Sequence, residues 1–298
     1  MTWQLWLALS RPKTLPLAGA GVISGLALAM IQGPLNWPLA GTSLLTALLL
    51  QILANLANDL GDGLKGSDRP DRLGPQRMFQ AGLVGQKPLI LAILLLVLLS
   101  AASGVLTLRL SPYNNWGLWL MGLASVWAAL AYTLGKKPYG YLGLGDLMVA
   151  IFFGYLACLG SLWLQTGQLT ASSWLVASCQ ALLAMAVLNT NNVRDLNSDA
   201  LSGKRTLALR LGEQGARRYQ DLLFFLAALT SISYAIIVLP WVLTWLALLW
   251  LLRLPFVWRA FHHSQGRALN ACLAQQGQLA FLAALTTFLA HFLAFGVY

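Results

Sequence analysis

Long apolar runs separated by short polar gaps decide what this chain can fold into. A run of about 20 apolar residues matches the hydrocarbon thickness of a bilayer. Inside that layer every backbone N–H and C=O must be paired within the protein, so runs of this length span as helices. The reading places nine of them, at 15–32, 37–57, 88–108, 114–134, 144–165, 173–193, 221–239, 240–258 and 278–297. The eighth carries Arg253 and Pro255 and follows a turn no longer than Leu239-Pro240. Composition agrees, with 58% hydrophobic and only 9% charged residues, against about a quarter charged in a soluble domain. The expected fold class is an all-α integral membrane bundle, a single transmembrane domain over residues 1–298.

Charge gives the orientation. Eighteen of the 19 Lys and Arg residues fall at the N-terminus, in alternate gaps, or between Arg253 and Arg267, and only Arg109 falls on the other side. The positive-inside rule then sets the N-terminus in the cytoplasm and the C-terminus across the membrane. The formal net charge of +10 therefore reflects membrane orientation, and no nucleic-acid partner is expected. Trp3, Trp6, Leu7 and Leu9 suggest a short interfacial helix rather than a cleavable signal. Cys158, Cys179 and Cys272 are far apart in apolar surroundings and read as small buried hydrophobes. A weak internal duplication suggests four-helix units at about 15–134 and 144–258, with 278–297 as an extra helix.

The scarce acids are not spread evenly. The stretch "NLANDLGDGLKGSDRPDRLGPQRMFQAG", residues 55–82, holds four aspartates, and six of the chain's nine acids lie in 58–71 and 192–199. One stretch follows the second helix and the other the sixth, both on the cytoplasmic side. Asp59 and Asp62 are three apart and Asp195 and Asp199 four apart, spacings that share a helical face. If the two helix ends meet, these four carboxylates converge with Asn58 and Asn192. Two like charges about 4 Å apart repel by about 4 kcal/mol at an effective dielectric of 20, and a divalent cation removes that repulsion. Oxygen ligands without His or Cys point to Mg²⁺. Lys65, Arg72 and Arg77 lie near the first cluster, and Arg194, Lys204 and Arg205 near the second. Carboxylates, metal and basic groups together describe a diphosphate site. The gap "YTLGKKPYGYLGLGD", 132–146, either lines the site through Lys136, Lys137, Tyr139, Tyr141 and Asp146 or makes only a tight turn. His262 and His263 lie in a basic stretch, and His291 reads as a packed side chain. A cation transporter is the rival reading outside enzymes, but it would place carboxylates in mid-helix, near the membrane midplane.

"NDLGDGLKGSD" (58–68) with "RLGPQRMFQAG" (72–82) resembles the first Asp-rich motif of the UbiA superfamily of intramembrane prenyltransferases. "NNVRDLNSDALSGKRTLALRLG" (191–212) resembles the second. "RPKTLP" (11–16) and the 132–146 segment are similar to the branch that acts on 1,4-dihydroxy-2-naphthoate in menaquinone synthesis. Many members carry N-D-x-x-D-x-x-x-D, whereas here Gly66 takes the last position and the acid follows as Asp68, a shift similar to the naphthoate branch. The resemblance implies nine helices in a UbiA-type bundle around a central cavity open to membrane lipid, in the bacterial inner (plasma) membrane with the active site facing the cytoplasm. It implies transfer of a polyprenyl chain from polyprenyl diphosphate to dihydroxynaphthoate, with loss of CO₂ and diphosphate. Asn58, Asp59, Asp62, Asp68, Asn192, Asp195 and Asp199 would hold Mg²⁺, and Asp59, Asp62, Asp195 and Asp199 would be catalytic. Lys65, Arg72, Arg77, Arg194 and Lys204 would bind diphosphate. Arg11, Lys137, Tyr139 and Asp146 would face the acceptor. Sister enzymes using 4-hydroxybenzoate, homogentisate, a porphyrin-derived ring or phytyl diphosphate are the near alternatives.

Overall fold

The computed structural model describes residues 3–66 and 73–296. Its helices are α1 (Trp3–Ser10), α2 (Leu15–Ala29), α3 (Trp37–Leu64), α4 (Gln86–Leu110) and α5 (Trp116–Ala131). A continuous helix follows, made of α6 (Gly145–Val149), a π segment (Ala150–Leu156) and α7 (Ala157–Thr166). Then come α8 (Ser173–Arg194), α9 (Leu196–Leu201), α10 (Leu207–Val238), α11 (Trp241–Ala247), α12 (Leu254–His263) and α13 (Leu269–Phe295).

Local sequence sets the helix starts. Asn36 Oδ1 accepts from Leu39 N at 3.1 Å with Pro38 in the first turn of α3. Asn115 Oδ1 accepts from Leu118 N at 3.2 Å at the head of α5. Thr206 Oγ1 accepts from Leu209 N at 3.3 Å at the head of α10. Each side chain satisfies one of the N–H groups that a helix start leaves open.

Helix α2 is buried along most of its length and packs against α13, α7 and α3. Small residues allow the approach. A Cβ on Gly25 would lie 2.2 Å from the Cys158 carbonyl oxygen, and one on Gly21 would lie 2.4 Å from that of Phe153. This is the small-x-x-x-small contact that lets membrane helices touch along their backbones. A second core joins α8, α10 and α13 around Leu183, Leu223 and Leu279, with Trp250 between them. Leu91, Leu94, Leu95 and Leu98 stay exposed on α4, a face suited to lipid. Helix α1 seats Leu9 against Leu53 and Leu56 of α3 and leaves Trp3 and Leu7 exposed. The three cysteines are buried and unbridged. His291 is buried, with Nε2 2.6 Å from the Tyr234 hydroxyl.

Helix covers all nine of the expected segments, but the number able to cross a membrane by length and composition is smaller. Among the described residues six qualify: Trp37–Leu64, Gln86–Leu110, Gly145–Thr166, Ser173–Arg194, Leu207–Val238 and Gly266–Phe295. Trp241–Ala247 with Leu249–His263 makes a seventh only as a broken span, bent by 46°. The break falls at Leu248, and Arg253 and Pro255 lie beyond it, with Pro255 in the first turn of α12. Helices α2 and α5 have 15 and 16 residues. At about 1.5 Å per residue they fall short of the bilayer core.

Candidate active site

The C-terminal half of α3 presents a polar stripe. Gln51, Asn55, Asn58 and Asp62 recur at helical spacing and all line one cavity of about 760 Å³. Asp62 is the charged member of the stripe. Its carboxylate accepts from Tyr141 Oη at 2.8 Å and Arg77 Nη2 at 3.1 Å, and lies 3.5 Å from Lys204 Nζ. Asn58 Oδ1 accepts from Thr133 Oγ1 at 3.1 Å.

Asp59 does not line this cavity with the others. One residue further on is about 100° further round the helix, and its carboxylate accepts from Met78 N at 3.2 Å and Phe79 N at 3.1 Å. Asp59 and Asp62 lie three apart in α3, and their carboxylates take different partners. The first aspartate holds the α3–α4 loop; the second faces the cavity.

The second acidic segment enters from the end of α8. Asp195 stands at the helix terminus and Asp199 in α9, and both are buried and line the same cavity. Lys204 Nζ is 3.4 Å from Asp199 and 3.5 Å from Asp62. One ammonium thus joins the two sequence-distant motifs. Burial pushes the Asp199 carboxyl up to about 6, an effect opposed by Lys204 and reinforced by Asp195 and Asp62. Asn192 lines the cavity, and its side chain makes no hydrogen bond among the described residues.

Comparison with known proteins decides the family. The chain matches the UbiA prenyltransferase family over residues 18–285. It belongs to that family. The 1,4-dihydroxy-2-naphthoate octaprenyltransferase of Escherichia coli (strain K12) is 49% identical over 219 residues, 72% of this chain and 71% of that protein. The enzyme of the same description from Haemophilus influenzae is 38% identical over 288 residues, covering 94% and 92%. A UbiA homolog from Archaeoglobus fulgidus, solved with DMAPP and Mg²⁺, shares the fold at TM-score 0.67 and 14% identity, covering 98% of this chain and 99% of that one.

In this UbiA family member the other expected site residues divide by position. Arg77 and Lys204 line the cavity and touch Asp62. Arg194 also lines it, but its guanidinium is engaged by Asp195, by Asn191 Oδ1 at 2.7 Å and by Asn270 Oδ1 at 2.8 Å. Lys65 Nζ donates to the Thr133 and Gly135 carbonyls at 2.5 and 3.1 Å, tying α3 to the turn after α5. Its ammonium serves those carbonyls, and burial lowers its pKa. Arg11 lines the cavity. Tyr139 lines it with its ring, while its hydroxyl donates to the Ala128 carbonyl at 2.8 Å. Lys137 is exposed and does not line the cavity. Asp146 is buried away from it and accepts from Tyr219 Oη at 3.2 Å. Asp68 and Arg72 lie outside the described residues.

Tyr141 was one of the residues offered by the 132–146 gap, whereas Asn270, Asn55 and Gln51 were not singled out from the sequence. Tyr141 lies between Lys65 Nζ at 5.2 Å and Lys204 Nζ at 5.0 Å from its ring, with its hydroxyl on Asp62. Asn270 holds Arg194 and donates to the Leu73 carbonyl at 2.9 Å. Asn55 and Gln51 continue the polar stripe of α3, and their 51–55–58–62 spacing was the signal available for them.

The donor set fits Mg²⁺. Asn58, Asp62, Asn192, Asp195 and Asp199 offer oxygen ligands in one cavity wall, the chemistry of a hard cation. Lys204 already stands between Asp62 and Asp199, where a positive charge is wanted. Among the described residues no three His, Cys, Asp or Glu side chains are gathered closely enough to form a metal site by themselves. A cation here takes its remaining ligands from water and phosphate, as Mg²⁺ commonly does.

Proposed function

We propose that this chain transfers a polyprenyl group from polyprenyl diphosphate to 1,4-dihydroxy-2-naphthoate, releasing CO₂ and diphosphate and giving demethylmenaquinol. The observation that carries the reading is the Lys204 bridge between Asp62 and Asp199 at one end of a long, largely apolar cavity. The relatives' described activity on the same acceptor supports the branch.

Each residue then has a task. Asn58, Asp62, Asn192, Asp195 and Asp199 would hold Mg²⁺, with Asp68, outside the described residues, a further candidate from the shifted motif. When bound, the metal supplies charge neutralisation on the leaving diphosphate. Arg77 and Lys204 grip the diphosphate oxygens, and Arg72, outside the described residues, remains a further candidate by its place in the first motif. Asp59 supports the site by fixing the Met78 and Phe79 amides. Arg194 positions Asp195, and Lys65 positions the turn that carries Thr133.

The allylic C–O bond breaks as the diphosphate takes the electron pair. The ring carbon bearing the carboxylate forms the new C–C bond. The electron pair of the ring–carboxylate bond then restores aromaticity as CO₂ leaves. Leu50, Phe152 and Leu156 of the cavity wall keep water from the allylic cation. Arg11 and the ring of Tyr139 border the acceptor. We infer nine crossings, with α2 and α5 as short spans and α11–α12 as a bent one; the Lys and Arg distribution supports a cytoplasmic N-terminus, and the bacterial relatives support a bacterial plasma-membrane location.

The test is direct. Membranes carrying the chain are incubated with radiolabelled polyprenyl diphosphate and, separately, dihydroxynaphthoate, 4-hydroxybenzoate or homogentisate. Label enters an extractable quinol with the naphthoate alone, EDTA stops it and Mg²⁺ restores it. Transfer to another acceptor in preference, or transfer unaffected by EDTA, overturns the proposal.

A further inference from the structure

Buried polar atoms with no partner are the places where a ligand has something to supply. Among the described residues, the Oε1 atoms of Gln51 and Gln180, Nε2 of Gln276 and Oγ of Ser24 are buried without a hydrogen bond. Of these four side chains only Gln51 lines the cavity. It is 9% exposed.

The orientation of its amide is fixed by its neighbours. Asn55 Nδ2 donates to the Ser10 carbonyl at 2.9 Å, which can only accept, so Asn55 Oδ1 is the atom turned toward Gln51. Gln51 Nε2 therefore donates to Asn55 Oδ1 at 3.3 Å, and its second proton goes to Thr14 Oγ1 at 3.1 Å. Thr14 Oγ1 gives its single proton to the Arg11 carbonyl at 2.9 Å and also accepts from Asn55 Nδ2 at 3.0 Å. Every donor of this network is spent. Gln51 Oε1 is left as an acceptor needing an O–H or N–H from outside.

Position narrows the donor. Gln51 lies seven residues before Asn58 on α3, roughly 10 Å along the helix axis at 1.5 Å per residue. Ala54 and Asn55 line the cavity between them, so the space at Gln51 adjoins the space of a diphosphate at Asn58 and Asp62 without coinciding with it. A prenyl chain offers no O–H donor; a dihydroxy ring offers two. We infer that Gln51 Oε1 receives one ring hydroxyl of the aromatic acceptor, which makes Gln51 a specificity-determining residue, with Asn55 and Thr14 as the positioning residues that fix its amide. This rests on the function proposed above. A site with a buried acceptor discriminates strongly against a ring that lacks the matching hydroxyl, because the acceptor is then left unpaired.

The experiment compares affinity for 1,4-dihydroxy-2-naphthoate with that for the 1-hydroxy and 4-hydroxy analogues, each used as a competitive inhibitor. For wild-type protein one analogue binds about tenfold more weakly than the dihydroxy ring. Gln51→Leu, and Gln51→Met as a second variant of similar length, weaken the dihydroxy ring by a similar factor. Both leave that analogue's affinity and the KM for prenyl diphosphate unchanged. Wild-type discrimination that survives in both variants overturns the inference while the function stands. So does an equal loss for all three rings. Wild-type protein that prenylates no naphthoate overturns the proposed function and the inference with it.

Discussion

At the scale of single residues, two aspartates three positions apart have different partners. Asp62 faces Arg77, Tyr141 and Lys204, whereas Asp59 is spent on two loop amides. Asp62→Asn or Asp199→Asn is expected to lower turnover by at least about a hundredfold, the scale of losing one electrostatic stabiliser, with thermal stability in detergent retained. Asp59→Asn is expected to act through order in the loop instead. It should cost about 1–3 kcal/mol and speed proteolytic cleavage between residues 73 and 85. Tyr141→Phe removes a single hydrogen bond to the Asp62 carboxylate. Its expected effect is a roughly three- to tenfold rise in the KM for prenyl diphosphate, read against an unchanged KM for the acceptor. The residue types and the segments carrying them were legible in the sequence. Side-chain direction was not, because a turn of about 100° per residue separates a ligand from a loop anchor, and the loop that claims Asp59 is distant in neither sequence nor space. Lys65 and Arg194, expected at the diphosphate, are held in the structure by backbone carbonyls and by Asp195 with two amides, respectively. A cation near an acidic motif can equally be consumed by carbonyls or amides, and nothing in the local sequence says which.

At the scale of elements, apolar periodicity located helix in all nine expected segments, because burial of backbone polar groups in lipid leaves few other forms. It did not locate the break between α11 and α12, nor the shortness of α2 and α5, which depend on packing. Helix α2 succeeds as a central element through its glycines rather than its length. Gly25→Val should collide with the Cys158 carbonyl and Ser161 Cβ, which a new Cβ would approach to 2.2 and 2.8 Å. The expected cost is about 1–3 kcal/mol, seen as a lower melting temperature with α2 and α7 pushed apart. Gly41, where an added Cβ meets nothing within 4 Å, should accept alanine with little change and serves as the control.

At the scale of the whole molecule, two halves of the chain meet over one cavity and bring opposite charges together there. Arg77 and Lys204 accompany buried Asp62, Asp195 and Asp199, and Arg194 is bound to Asp195. The meeting of the two acidic segments was legible from their matching places after the second and sixth helices. The lysine that joins them was legible only as a nearby cation, since its reach to both carboxylates exists only after the helices close. Lys204→Met is expected to lower the melting temperature of metal-free protein, and Mg²⁺ should raise it again by more than it does in wild type. An equal Mg²⁺ response in both proteins would count against the bridge.

The position of that lysine has a consequence for how such a protein lives between turnovers. A tethered ammonium acts as a resident placeholder, so the chain need not borrow an ion from the cell merely to stay assembled. The bundle can mature and wait in the bilayer unladen, its two acidic segments already drawn together by one side chain.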